Sequence, residues 1–175
     1  MFINDLNIRF NISSFMCDDL CLKNFEQILY NNIEEFENEI GEDNYLKQIS
    51  FDFSNTSVVE IQEIIYDFNI DNIYFDQAIY ICVKFKLNLL TLKDTFNFLD
   101  SLNDKISSKL NTTEVNSYTS VFGIDTTGYS SEINRLGSNA YKSGAIREIE
   151  KLINHIDKDR IVSNYFEIKI LDQQI

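Results

Sequence analysis

The sequence predicts an α/β fold of the α+β kind, a single-domain two-layer sandwich in which a mixed sheet of about four to five strands carries helices mainly on one face. Three observations point there. Apolar and polar residues alternate in several short runs; between those runs apolar residues recur at three and four; and 175 residues suffice for one core without arguing for two.

Leu6, Ile8, Phe10 and Ile12 alternate with Asn7, Arg9 and Asn11, the period of a strand with one buried face. From Asp19 the period lengthens, and Leu22, Phe25, Leu29, Ile33, Phe36 and Ile40 form the stripe of one long helix that Gly41 can terminate. Ile49, Phe51 and Phe53 alternate as a second strand. Ser57 with Glu60 then gives a capping-box signature before Val58, Ile61, Ile64, Ile65 and Phe68. Ile79, Ile81, Val83, Phe85 and Leu87 read as a third strand, followed by a helix from about Thr91 to Leu110. Beyond it Gly123, Gly128, Gly137 and Gly144 punctuate a polar stretch, with a short strand expected near Tyr118 to Ile124 and a short helix near Ser131. A helix resumes at about Ala145, and Phe166, Ile168 and Ile170 mark a last strand. The expected organisation is one domain over 1–175: acidic strand-helix repeats over 1–110, a polar, glycine-punctuated connecting segment over 111–145, and a closing helix and strand over 146–171. Alternation in the first, third and last strands leaves one sheet face wet, displaying Arg9, Lys84, Lys86 and Lys169 with Tyr80, while the helices display carboxylates.

Charge is the strongest functional signal. Between Asn24 and Val83 there are thirteen carboxylates and one basic residue, Lys47. Residues 1–110 hold 19 Asp and Glu against 8 Lys and Arg, and residues 111–175 hold 9 against 7, so nearly all of the net charge of −13 lies in the front half. A cluster of one sign speeds association with an oppositely charged partner and repels polyanions, which argues against nucleic acid and anionic membrane surfaces as direct ligands. Fourteen Phe and nine Tyr exclude a disordered acidic tail, because they supply the burial that offsets chain entropy. Met1 to Ser13 lack a secretory pattern, no run approaches a membrane span, and three cysteines are an odd set without disulfide density, so a cytoplasmic location is expected.

Candidate chemistry is sparse. Cys17, Cys21 and Cys82 with His155 do not make up the spacing of a structural zinc site, and the two close cysteines are expected to line the start of the first helix. His155 reads as a solvent-facing residue near Glu148 and Lys151. No Gly-x-Ser-x-Gly elbow accompanies it, so a hydrolytic triad is not expected. Asp67, Asn69 and Asp71 copy the opening of a calcium loop, but Asn72 replaces the turn glycine and Ala78 the bidentate glutamate. Gly137 to Gly144 precedes a helix and could cradle a small anion, although Lys142 and Ser143 stand before the final glycine and not after it. Glu167-Ile-Lys169 on its expected strand has the spacing of a metal-dependent nuclease element, with Asp125 or Asp159 as a partner; chance alternation explains it as well.

In size, acidity, expected location and absence of catalytic motifs, the chain resembles bacterial immunity proteins and antitoxins that neutralise nucleic-acid-cleaving toxins. The resemblance covers no motif and transfers no residue. It implies a non-catalytic protein with no cofactor and no metal, whose partner is a basic protein, a toxin domain with phosphate-gripping surroundings. The candidate partner-binding residues are Glu34, Glu35, Glu37, Glu39, Glu60, Glu63 and Asp67, with Tyr30 and Tyr66 as aromatic anchors on the same polar faces. A DNA-mimicking anti-defence protein would use the same surface, and a small enzyme or anion binder would use the Gly137 to Gly144 segment.

Overall fold

The structure, a computed structural model, describes residues 2–68, 70–109 and 142–174. Among the described residues every regular element is a helix: α1 (Leu6–Met16), α2 (Leu22–Asn31), α3 (Ile33–Ile40), α4 (Glu42–Ile49), α5 (Val58–Asp67), α6 (Ile73–Lys86), α7 (Leu92–Lys109), α8 (Lys142–Ile156) and α9 (Ile161–Asp172). The α/β sandwich is therefore overturned, and with it the wet sheet face. The strand expected at Tyr118 to Ile124, the helix near Ser131, Asp125 and most of the Gly137 to Gly144 segment lie outside the described residues. The last three residues of that segment open α8, three residues ahead of the expected start.

Each expected strand that falls within the described residues fails for a physical reason. An i, i+2, i+4 run contains the i, i+4 pair of a helix, so alternation separates the two structures only when the intervening positions stay wet. In α1 they do not: Asn7, Arg9 and Asn11 are half-buried between Ile8, Phe10 and Ile12, and Ser13 to Met16 beyond them are all buried, which leaves little amphipathic contrast. Asp5 starts the helix by accepting the Ile8 N–H at 2.8 Å. In α6 the six consecutive residues Ala78 to Val83 are buried, so this helix too is enclosed on every side. Its β-branched content favours a strand only weakly, and packing overrides that preference. In α9 the buried residues Val162, Phe166 and Ile170 recur at four, while Ile168, expected to alternate with them on one strand face, is 60% exposed. Ile49 ends α4, and the chain after it turns around Asp52, whose carboxylate accepts from the Ser54 backbone and the Asn55 side chain.

Other expectations hold. The capping box at Ser57 and Glu60 is formed and opens α5, and α7 begins where Thr91 Oγ1 accepts the Asp94 N–H at 3.1 Å. The long helix from Asp19 to Gly41 is instead two, because Asn32 leaves helical geometry at φ −129°, ψ 45°. Phe25, Leu29, Phe36 and Ile40 keep helical spacing through that break, and this conceals it in the sequence. Gly41, at φ +84°, separates α3 from α4 in a conformation that disfavours any side chain. Cys17 and Cys21 cap the end of α1 and the start of α2.

The chain forms two compact units, Met1–Gln77 and Ala78–Ile175, with the boundary inside α6. In the first, α3 and α4 pack on each other and on α2, and α1 packs on α2. Phe15 of α1 stacks on Phe25 of α2 with ring centroids 4.1 Å apart. Asn72 clasps the backbone of Ile3, donating to its carbonyl at 3.0 Å and accepting its N–H at 3.3 Å. Arg9 of α1 donates through Nε (2.8 Å) and Nη2 (2.5 Å) to the carboxylate of Asp76 in α6. In the second unit, Tyr80 of α6 meets Phe166 of α9 edge to face at 6.0 Å. Asp157, itself buried, accepts the Val162 and Ser163 N–H groups at the start of α9.

Far-UV circular dichroism should show the double minimum of a helical protein. Arg9→Ala, which removes the guanidinium from a carboxylate only 4% exposed, should destabilise the protein by about 3 to 5 kcal/mol in chemical denaturation; a loss under about 1 kcal/mol would show that the pair is not a structural anchor.

Candidate partner-binding surface

The two units differ in charge. Residues 1–77 contain 16 carboxylates and three basic residues, Arg9, Lys23 and Lys47, whereas residues 78–175 contain 12 of each sign. The whole net charge of −13 thus belongs to the first unit.

Glu34 and Glu35 are exposed in the first turn of α3, and Glu37 and Glu39 are half-buried further along the same helix. The Glu39 carboxylate accepts the Asn4 N–H at 2.6 Å, so that residue also fastens the N-terminal segment. On α5, Glu60, Glu63 and Asp67 are all exposed. Glu60 serves the capping box: the Ser57 N–H and hydroxyl each donate to its carboxylate at 2.8 Å. Those bonds, the backbone one foremost, hold its carboxyl below the usual range.

Tyr30 is 46% exposed near the end of α2, as an anchor requires, but Tyr66 is only 5% exposed. Tyr66 is corrected from surface anchor to core residue. Its ring stacks on Tyr74 at 5.1 Å and its hydroxyl donates to Gln77 at 2.8 Å. Burial pushes its pKa well up. An amphipathic ring among acidic neighbours looks the same in sequence whether it faces water or a second helix. Sequence reasoning also placed Ile33 in the buried stripe, yet it is 44% exposed, and it overlooked the exposed Leu46 and Val59. The exposure of Leu46 is legible once α4 is known, because it falls between Glu42, Asp43, Lys47 and Ser50 on the outer side of that helix.

Three helices converge at Tyr45, a residue that sequence reasoning missed. Its hydroxyl donates to the Leu29 carbonyl at 3.2 Å. Burial raises its pKa first, then the nearby Glu37 carboxylate and then Tyr30. Tyr45 of α4 therefore lies within the electrostatic reach of both Glu37 of α3 and Tyr30 of α2. On α5, the Glu63 and Asp67 charges raise the pKa of Tyr74, after burial.

Helix dipoles give these charges meaning. Carboxylates in a first turn stabilise a helix, while those in a last turn oppose the partial negative charge there. Glu34, Glu35, Glu42, Asp43 and Glu60 occupy first turns, so they have a structural use. Glu37, Glu39 and Asp67 lie in last turns, and α1, α2, α3 and α5 have no basic residue in theirs. In the second unit Lys84 and Lys86 lie in the last turn of α6 and His155 in that of α8, while Lys169 shares the last turn of α9 with Asp172.

The remaining candidates fall elsewhere. His155 is exposed on α8. Cys82 is buried, and burial first, then Glu150, raises its thiol pKa. Glu150 is gripped by Arg160 at 2.8 Å and faces Lys86 at 3.7 Å; its carboxyl, raised by desolvation, is brought below the usual range by Arg160 and Lys86. Glu167 and Lys169 lie on α9 and not on a strand, and Lys169 sits over the Tyr165 ring at 5.6 Å. Of the residues expected on the sheet face, Arg9 is paired with Asp76, and Tyr80 is buried. Ala78, at the position of the calcium-loop glutamate, is buried in α6. Among the described residues no group of three or more His, Cys, Asp or Glu is placed to hold a metal ion, and no helix is long and apolar enough to cross a membrane. Comparison with protein-family models, curated proteins and solved structures finds no match.

The dipole argument predicts opposite stability changes from two identical charge reversals on one helix. Glu34→Lys should lower stability and Glu37→Lys should raise it, each by about 0.3 to 1 kcal/mol at low salt. Thermal melts of the two variants check the signs, and equal shifts in one direction would show that general self-repulsion dominates.

Proposed function

We propose that this protein is a non-catalytic acidic binder that presents the carboxylates of α3 and α5 to a basic protein, acting as an immunity protein or antitoxin against a nucleic-acid-cleaving toxin. The observation that carries the reading is the placement of Glu37, Glu39 and Asp67 in last turns, where the helix dipole does not favour carboxylates, within a unit that bears the entire net charge. Surfaces kept at a cost to stability are the ones on which function depends.

The physics of inhibition is direct. A nuclease grips phosphates with cations around its active site, and an array of carboxylates competes for the same cations while lowering the barrier to encounter. Tyr30, exposed near the end of α2, supplies the flat, low-entropy contact that charge alone does not provide. Glu34, Glu35, Glu63 and Asp67 steer, and Tyr30 with the neighbouring aliphatic groups holds.

The test uses the purified chain and the product of the gene adjacent to its own. That product should be basic, its nuclease activity should be blocked at equimolar ratio, and its association rate should fall about tenfold or more between low and physiological salt. Glu63→Lys with Asp67→Lys should slow association, and Tyr30→Ala should speed dissociation. Binding that ignores salt, or that survives in full after both sets of substitutions, would overturn the assignment.

A further inference from the structure

We infer that Phe2, Ile3 and Asn4 form a releasable strap that shares the Glu39 carboxylate with the partner, so that capture of a partner guanidinium there and release of the strap are coupled. The inference rests on the partner reading above and adds its regulation. Three contacts fasten the strap. Ile3 is 1% exposed within the apolar core of the first unit, and the Asn72 carboxamide holds its backbone on both sides, accepting its N–H and donating to its carbonyl. The next N–H, that of Asn4, donates to Glu39 Oε2 at 2.6 Å. Phe2 lies over Arg9, with the guanidinium 5.9 Å from its ring centroid.

The strap is built to open without disturbing the helix that follows it. Phe2 and Asn4 are exposed, so a single side chain, that of Ile3, anchors it in the core. Asp5 caps α1 by accepting the Ile8 N–H, and this keeps the start of the helix fixed whether the strap is closed or open. A short extended segment held by one apolar side chain and a few side-chain hydrogen bonds opens at lower free energy than packed helices do. Glu39 supplies the coupling, because it belongs both to the strap and to the carboxylate line of α3. It stands in the last turn of α3, which holds no basic residue, and the Asn4 N–H is its donor there. A guanidinium forks onto both oxygens of a carboxylate and so draws on the oxygen that holds Asn4. The strap is then left to Ile3 and Asn72. Linkage is reciprocal, so whatever loosens the strap strengthens capture of the guanidinium by the same factor.

Amide hydrogen exchange of the full chain, with and without a hexa-arginine peptide at low salt, tests this. The Ile3 and Asn4 amides should exchange faster than those of Phe25 and Leu29 in α2, and the peptide should speed exchange at Asn4 by about fivefold or more. Ile3→Ala loosens the anchor and leaves every carboxylate in place, so it should bind the peptide more tightly by a similar factor, with its fold checked by circular dichroism. Asn72→Ala removes the backbone clasp and should act in the same direction, which keeps the test independent of any one variant. Strap amides that exchange only together with α2 overturn the strap and leave the partner reading standing. So does a peptide that binds without changing Asn4, or that binds neither variant more tightly. A peptide that does not bind the chain at all overturns both.

Discussion

The packing of the first unit depends on a guanidinium held inside an acidic body. Arg9 and Asp76 join the first helix to the start of α6, with side chains 12% and 4% exposed. Ions this far from water are tolerable only when geometry is close to ideal, and the two parallel bonds from one planar fork provide it. The pair fixes where α1 lies, and with it the Phe15–Phe25 stack and the Ile3–Asn72 clasp. It also removes one of only three cations from the surface of the unit. Lys23 and Lys47 are left exposed among the carboxylates, so the requirement of the core deepens the field outside it.

That field has a definite relation to the helix dipoles. In the second unit basic residues stand in the last turns of α6 and α9, although Asp172 shares the latter. The first unit places Glu37, Glu39 and Asp67 against their own dipoles instead. Glu39 recovers something through the Asn4 backbone, and Glu60 is held by its cap. The acidic surface therefore mixes residues that stabilise the fold with residues that the helix dipoles oppose.

Much of the helical structure was legible. The Ser57–Glu60 box, the Thr91 start of α7, the turn at Gly41 and the stripe of α8 arise from local chemistry that tertiary packing did not disturb. The acidic lines on α3 and α5 were legible too, since the exposed face of a half-buried helix is the complement of its apolar stripe. Tyr66 was not, because its neighbours in sequence are acidic whereas its neighbours in space are Tyr74 and Gln77.

The sequence by itself determined the charge, its concentration ahead of Ala78, the aromatic content that obliges the chain to fold, and those helices that keep one face in water. Tertiary structure decided α1, α6 and α9. Their apolar residues satisfy a two-residue and a four-residue period together, and which one is real depends on what surrounds the intervening positions. Arg9 and Asn11 are half-buried, Tyr80 and Cys82 are buried, and Ile168, read as one of the buried set, is exposed. Local sequence does not contain that information, because burial is a property of neighbours supplied by distant segments, and the neighbours turned these ambiguous runs into helices.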